Sequence, residues 1–142
     1  MKIRKATKKD IKEIVDLFIE ESSKKPYNEK WAKGKALKEV KEFLEDELYV
    51  AVIEKKIIGF IASNINNDDR KKAYIRELWL RPEHYRKGIG RQLVKLIEGL
   101  YKKKGVKLIR LVTKKKAQAF KFYKKIKYNQ SKELVFMERK FR

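Results

Sequence analysis

The chain has 142 residues, of which 40 are Lys or Arg and 19 are Asp or Glu, giving a formal net charge of +21. That length suits one domain, residues 1–142, around one continuous core and is too short for two ordinary ones. With 42% hydrophobic residues, no cysteine and a single histidine, the composition excludes a disordered polyelectrolyte, disulfides, thiolate metal sites and a multi-histidine metal centre, and leaves His84 as the one imidazole a Ser-His-Asp triad could use.

Residues 2–6 alternate as a first strand. Thr7 then caps a helix, with Asp10 in the capping-box position and Ile11, Ile14, Val15 and Phe18 as its apolar stripe. Residues 21–34 (ESSKKPYNEKWAKG) read as a loop, and a second helix follows with Leu37, Val40 and Leu44. Residues 48–53 and 57–65 read as the strands of a hairpin turning at Lys55-Lys56. A polar loop, 66–72, leads to another strand-like run, 73–81 (AYIRELWLR), which Pro82 stops. Beyond it, Ile89, Leu93, Leu96, Ile97 and Leu100 fall at helical spacing. The apolar run 106–113 suits a strand buried on both faces. A helix is expected over 116–127, then a turn near Gln130-Ser131-Lys132 and a strand in LVFMERKF. The order is β-α-α-β-β-β-α-β-α-β-β, an α/β (α+β) chain without repeats or linkers.

The charge raises the question of nucleic acid, since neutralising phosphates drives sequence-independent binding. Only 9 of the 40 basic residues are Arg, and the lysines are spread along the whole chain, so nucleic-acid contact is expected to be weak and salt-sensitive. A charge-dense surface, 42% of residues, over a normal core is also a pattern of proteins built for high temperature. The start MKIRKATKKD has no apolar signal core, and no apolar run reaches membrane-spanning length; a cytoplasmic protein with no membrane contact is expected.

Between the strand ending at Arg81 and the following helix lies Tyr85-Arg86-Lys87-Gly88-Ile89-Gly90. A strand, a glycine turn and a helix N-terminus make an anion site: glycines allow close backbone approach, and the first helical N–H groups have no internal partner. The macrodipole adds partial positive charge there, so a phosphate or pyrophosphate is the natural guest. A Walker loop needs Lys-Ser/Thr after its last glycine, where Arg91-Gln92 stands. A dinucleotide fingerprint wants a third glycine where Leu93 sits and an acidic residue about twenty positions on, where the chain reads VKLIRLV. Both readings fail.

A second motif follows, Ala117-Gln118-Ala119-Phe120-Lys121-Phe122-Tyr123-Lys124-Lys125. Together the two resemble the GNAT superfamily of acetyl-CoA-dependent N-acetyltransferases. In that family a Gln/Arg-x-x-Gly-x-Gly/Ala loop holds the coenzyme A pyrophosphate, and an Asn-x-x-Ala…Tyr-x-x-x-Gly-Phe helix sets a tyrosine beside the thioester sulfur. This sequence departs from the pattern at Tyr85 in the Gln/Arg position, Lys116 in the Asn position and Lys127-Tyr128 for Gly-Phe.

The resemblance implies a GNAT fold, with a mixed, mostly antiparallel central sheet flanked by helices. It implies acetyl-CoA as co-substrate, no metal, and transfer of acetyl to a primary amine by direct attack in a ternary complex. The absence of cysteine rules out a thiol acetyl-enzyme. The coenzyme would be held by backbone at Leu78, Trp79 and Leu80, by Tyr85, Arg86, Lys87, Gly88, Ile89, Gly90 and Arg91, and by Lys116 and Tyr123. Tyr123 is the candidate general acid, because a phenol keeps its proton at neutral pH. Glu77, just before the bulge region of its strand, is the candidate base; period-two alternation sets Ile75, Glu77 and Trp79 on one face, where a carboxylate's pKa would rise. The alternative for Glu77 is a strand-end salt bridge to Arg76, Arg81 or a neighbouring lysine. His84 is read as a loop residue outside catalysis.

The acceptor is expected between residues 22–34 and 128–133. Tyr27, Trp31 and Tyr128 offer aromatic surface there, and Glu20, Glu21 and Glu29 offer negative charge. Protein N-termini, lysines and small amines all stay open, as does a homodimer. Two other functions compete: a basic RNA- or ribosome-binding module with a vestigial coenzyme site, and a non-catalytic acyl-CoA-binding protein.

Overall fold

In the computed structural model residues 1–141 are described; the domain expected over 1–142 extends one residue beyond, to Arg142. The chain divides into two compact units, Met1–Val112 and Thr113–Arg142.

In the first unit Arg4 starts the fold by gripping Asp10 with both guanidinium arms, at 2.7 and 2.9 Å. Asp10 Oδ2 also accepts the Thr7 N–H at 2.8 Å, which closes the capping box and joins strand β1 (Lys2–Lys5) to helix α1 (Ile11–Ser23) through one 3-10 turn. Helix α2 (Lys33–Glu45) follows, then strands β2 (Glu47–Ile53), β3 (Lys56–Ile65) and β4 (Lys72–Leu80), helix α3 (Ile89–Lys103) and strand β5 (Leu108–Arg110). Glu54 and Lys55 turn β2 into β3 with φ of 49° and 66°, the left-handed pair that suits a two-residue hairpin.

The five strands run in the order β1-β2-β3-β4-β5. The first four are mutually antiparallel, and β5 lies parallel to β4, a pairing that needs the α3 crossover. Phe18, Val40 and Phe43 of the first two helices pack with Leu48, Val50, Phe60 and Ala62 on one face. On the opposite face the buried Ser63 and Tyr101 hydroxyls of β3 and α3 meet at 2.7 Å.

The sheet departs from expectation at three places. The β3–β4 register shifts between Ala62 and Ser63: Ser63 faces Ile75 and Ala62 faces Glu77, so Arg76 is an extra, bulged residue. Strand β5 is short, with Leu108 at 40% exposure and Val112 at 74%, and is not buried on both faces; β4 is its only strand partner among the described residues. In the second unit helix α4 (Gln118–Lys125) forms, but no described residue after it is in a strand. There Leu134, Val135, Phe136 and Met137 are exposed, and the Ser131 hydroxyl accepts the N–H groups of Glu133 and Leu134 in a local turn. A strand exists only against a partner backbone, whatever its propensity.

Candidate active site

Strand β4 builds most of the site. Strand β5 pairs with it only over Lys72–Tyr74, so beyond Tyr74 the two strands part. From Ile75 to Leu80 the outer edge of β4 carries no partner strand among the described residues, while β3 holds its inner edge through Leu80. Leu78, Trp79 and Leu80 lie on this free edge, whose N–H and C=O groups suit an extended, amide-bearing ligand. Gly59 lets the strands close at that end, because a Cβ there would collide with the Leu80 side chain and stand 3.0 Å from Trp79 O.

The strand then runs through a 3-10 turn, Pro82–His84, into the anion loop. Arg86 and Gly88 both take left-handed backbone, at φ of 64° and 77°, and Gly88 caps α3. The first ladder bond is donated by Gln92 N–H to Gly88 O at 3.0 Å. The amides of Ile89, Gly90 and Arg91 therefore precede the ladder and point out of the helix end, where the macrodipole favours an anion. Ile89 and Gly90 are buried; Tyr85, Arg86, Lys87 and Arg91 are exposed around the loop. His84 is half-buried, with Nδ1 3.4 Å from Lys87 Nζ.

Glu77 stands on the same strand. The bulge at Arg76 breaks the expected alternation: Ile75 turns with Ser63 toward α3, whereas Glu77 and Trp79 turn with Ala62 and Phe60 toward α1 and α2. Ile75 therefore does not share the Glu77 face. The alternative, a salt bridge, does not form among the described residues; Glu77 Oε1 instead accepts the Trp79 indole N–H at 2.7 Å. Burial pushes the Glu77 carboxyl up to about 7, against the lowering effect of that hydrogen bond, with the Glu29 and Glu39 charges raising it further and Arg76 lowering it.

A matching pair sits beside it. Trp31 donates its indole N–H to Glu29 Oε1 at 2.7 Å, and both Trp31 and Trp79 pack on Phe18, with ring centroids 4.9 and 6.4 Å away. Tyr27 meets Trp79 edge-on at 4.8 Å. The segment between α1 and α2 thus brings an aromatic wall and a second carboxylate to the Glu77 face.

Arg81, just past β4, ties α1 to this end of the sheet. Its Nη1 lies 2.6 Å from Glu20 Oε2 and 3.4 Å from Glu21 Oε2, and Lys24 Nζ approaches the buried Glu21 at 2.9 Å. From the sequence, Glu20 and Glu21 are expected only as acceptor-facing charge. Gly59 does not stand out in the sequence and Arg81 does so only as a partner for Glu77, because each acts on a residue far along the chain.

In the second unit Tyr123 is buried on α4. Its ring meets Phe122 at 5.0 Å and Tyr128 at 5.5 Å, and its carbonyl accepts the Tyr128 N–H at 2.9 Å. Lys116 is exposed in the turn before the helix, and Lys127 leaves the helix at φ 77°, the left-handed geometry a glycine would hold without strain. Among the described residues no three His, Asp or Glu side chains group as metal ligands, and no helix is long and apolar enough to cross a membrane.

Comparison with known proteins places the chain in one family. Residues 11–128, across both units, match the Acetyltransferase (GNAT) family. An uncharacterized N-acetyltransferase of Methanocaldococcus jannaschii is 29% identical over 142 residues, which take in 94% of this chain and 62% of that protein, so the chain spans less than two thirds of its relative. A crystal structure of a possible acetyltransferase from Clostridium difficile 630 is similar with a TM-score of 0.81 at 19% identity, covering 99% of this chain and 98% of that one. The structure of an aminoglycoside N-acetyltransferase in complex with CoA is similar with a TM-score of 0.77 at 15% identity, covering 99% and 95%. The family match, over more than half its length, shows that this chain belongs to the acetyltransferase (GNAT) family.

Proposed function

We propose that the chain is an acetyl-CoA-dependent N-acetyltransferase that moves an acetyl group to a primary amine by direct attack in a ternary complex. The observation that carries this reading is the continuity of β4: its unpaired edge, Ile75 to Leu80, leads within a few residues to the free amides at the start of α3. One face of that edge carries a carboxyl poised near neutrality. A coenzyme with an amide-bearing arm and a pyrophosphate needs an edge and an anion site in that order, so these residues fit it.

The free edge at Leu78, Trp79 and Leu80 would take the pantetheine amides. Gly88, Ile89, Gly90 and Arg91 would take the pyrophosphate, with Tyr85, Arg86, Lys87 and Lys116 around the phosphates. Bound there, the coenzyme supplies a thioester as acyl donor. Glu77 takes a proton from the acceptor ammonium, leaving nitrogen a lone pair with which to attack. The new N–C bond forms as the C–S bond breaks, and Tyr123 gives its phenolic proton to the departing sulfur. The match across residues 11–128 supports both units working as one domain.

Isothermal titration with acetyl-CoA, with an RNA duplex in parallel and thiol release from an amine panel, tests this. One-to-one acetyl-CoA binding that persists as salt is raised, with amine-dependent thiol release, supports the proposal. Acetyl-CoA binding without transfer to any amine leaves an acyl-CoA-binding protein. Steeply salt-dependent RNA binding without acetyl-CoA binding makes the charge the function.

A further inference from the structure

At the apex where β4 and β5 part lies a cavity of about 530 Å³. Its polar wall includes Asn64, Asn66, Tyr74 and Arg76, and its apolar wall includes Leu111 and Val112. Asp68 also lines it, with its N–H bonded to Asn66 Oδ1 at 2.9 Å.

The bulge gives this cavity its character. In an unbroken strand, residues 76 and 77 would point to opposite faces. Here Glu77 shares the face of Ala62, and Arg76 reaches Asn64, two residues along β3 on that same face, through Nη1 at 3.4 Å from Asn64 Oδ1. A guanidinium and a carboxylate from consecutive residues thus serve one face of β4, with Cα atoms about 3.8 Å apart, and the guanidinium is the one that lines the cavity.

Arg76 is under-used as it stands. A guanidinium has five N–H donors, and among the described residues its one hydrogen bond is the long contact to Asn64. It forms no ion pair with Glu77; Asp46, at the end of α2, feels its charge without an ion pair as well. The planar fork of arginine matches a carboxylate in bidentate fashion.

We infer that the acceptor is a zwitterion, an α-amino acid, whose carboxylate is taken by Arg76 at the β4–β5 apex while its ammonium faces Glu77. The inference rests on the N-acetyltransferase reading and names its substrate class. Neighbouring side chains can serve both ends only if the ligand's two charges are a few bonds apart, which excludes extended polyamines and protein lysines as the preferred substrate. The side chain of the amino acid lies among Leu111, Val112 and Tyr74. The strongly positive protein field also disfavours a polycation and tolerates a net-neutral zwitterion. In the reaction the ammonium proton passes to Glu77, the N–C bond forms, the C–S bond breaks, and the products are an N-acetyl amino acid and the free thiol.

The test is thiol release from acetyl-CoA at pH 8 with L-α-amino acids, each compared with its primary amide and its decarboxylated amine, alongside titration of coenzyme binding. The expected result is a preference for at least one amino acid over its amide by about tenfold or more in kcat/KM. Arg76→Ala should erase that preference by raising KM for the amino acid far more than it raises KM for the amide. Arg76→Lys, which keeps the charge without the fork, should fall between and guards against a folding defect in the alanine variant. Equal use of amide and amino acid by the unaltered protein overturns the inference, as does an equal loss for both in the variants. Transfer only to amines without a carboxylate overturns it and leaves the N-acetyltransferase reading standing. No coenzyme binding and no transfer to any amine overturns both.

Discussion

Trp79 donates its indole N–H to Glu77 Oε1 at 2.7 Å, two residues apart on one face of β4. The bond fixes the carboxylate while burial holds its proton, and the balance leaves the group titrating at about 7. A base is useful only when deprotonated, so kcat/KM should rise with pH through about 7 and level off above it. Glu77→Gln keeps the shape and the acceptor oxygen for Trp79 but cannot take a proton. Its rate should fall by roughly 10² to 10⁴. The pH profile of the two proteins checks this, and an unchanged rising limb in the variant would remove Glu77 from the base role.

The same shift predicts a stability cost with a definite sign. The folded pKa lies above the ordinary 4.5, so the folded state binds the proton more tightly than the unfolded chain does. Glu77 therefore costs nothing below about pH 4.5, weakens the fold as pH rises toward 7, and holds that deficit at higher pH. Glu77→Gln should exceed the unaltered protein in stability at pH 8 by up to about 3 kcal/mol and match it near pH 4. Urea unfolding at the two pH values measures the difference.

The anion loop stores backbone strain at Arg86 and relies on glycine at Gly88. A Cβ on Gly88 would meet nothing within 4 Å, so Gly88→Ala tests the left-handed φ of 77° alone. It should cost about 1–2 kcal/mol of stability and weaken acetyl-CoA binding as the loop relaxes. Arg86, at φ 64°, should give the opposite stability result: Arg86→Gly should stabilise the fold while removing a cation from the loop. Calorimetric titration of both variants separates loop shape from charge.

Much of this was legible because it is local. Apolar periodicity places the first three helices and the second motif the fourth, and Gly88 announces a turn that only it can make without strain. The bulge expected just beyond Glu77 stands instead at Arg76; its place left no mark, since no glycine or proline stands there and register belongs to the pairing of β4 with β3. It reverses the face assigned to Ile75 relative to Glu77, which is why a two-residue period misled. The strand expected in LVFMERKF failed for a related reason: β propensity says that a segment fits a sheet, not that an edge awaits it. Arg81 and Glu20 are 61 positions apart in sequence, beyond the reach of any local pattern.

Tyr123 tests the second unit. Its ring is buried against Phe122 and Tyr128, so Tyr123→Phe keeps the packing and removes only the hydroxyl. As the proposed general acid it should show lower kcat with little change in acetyl-CoA affinity. Single-turnover rates over a range of pH check this; turnover unchanged at every pH would assign Tyr123 to packing alone.

Arg81 should matter more than an ordinary surface arginine, because one of its two partners is buried. Glu20 is exposed, and losing its contact with Arg81 should cost no more than about 1 kcal/mol, as Glu20→Ala would show. Glu21 is 3% exposed, and Arg81→Ala would leave its carboxylate with Lys24 as sole cation partner among the described residues. That should cost about 1–3 kcal/mol of stability. The loss also frees the start of the segment that carries Tyr27, Glu29 and Trp31 to the Glu77 face, so acceptor KM should rise more than acetyl-CoA affinity falls. Thermal unfolding with two-substrate kinetics on Arg81→Ala and Glu20→Ala decides the matter, and equal effects from the two variants would show that Glu21 contributes nothing to the anchor.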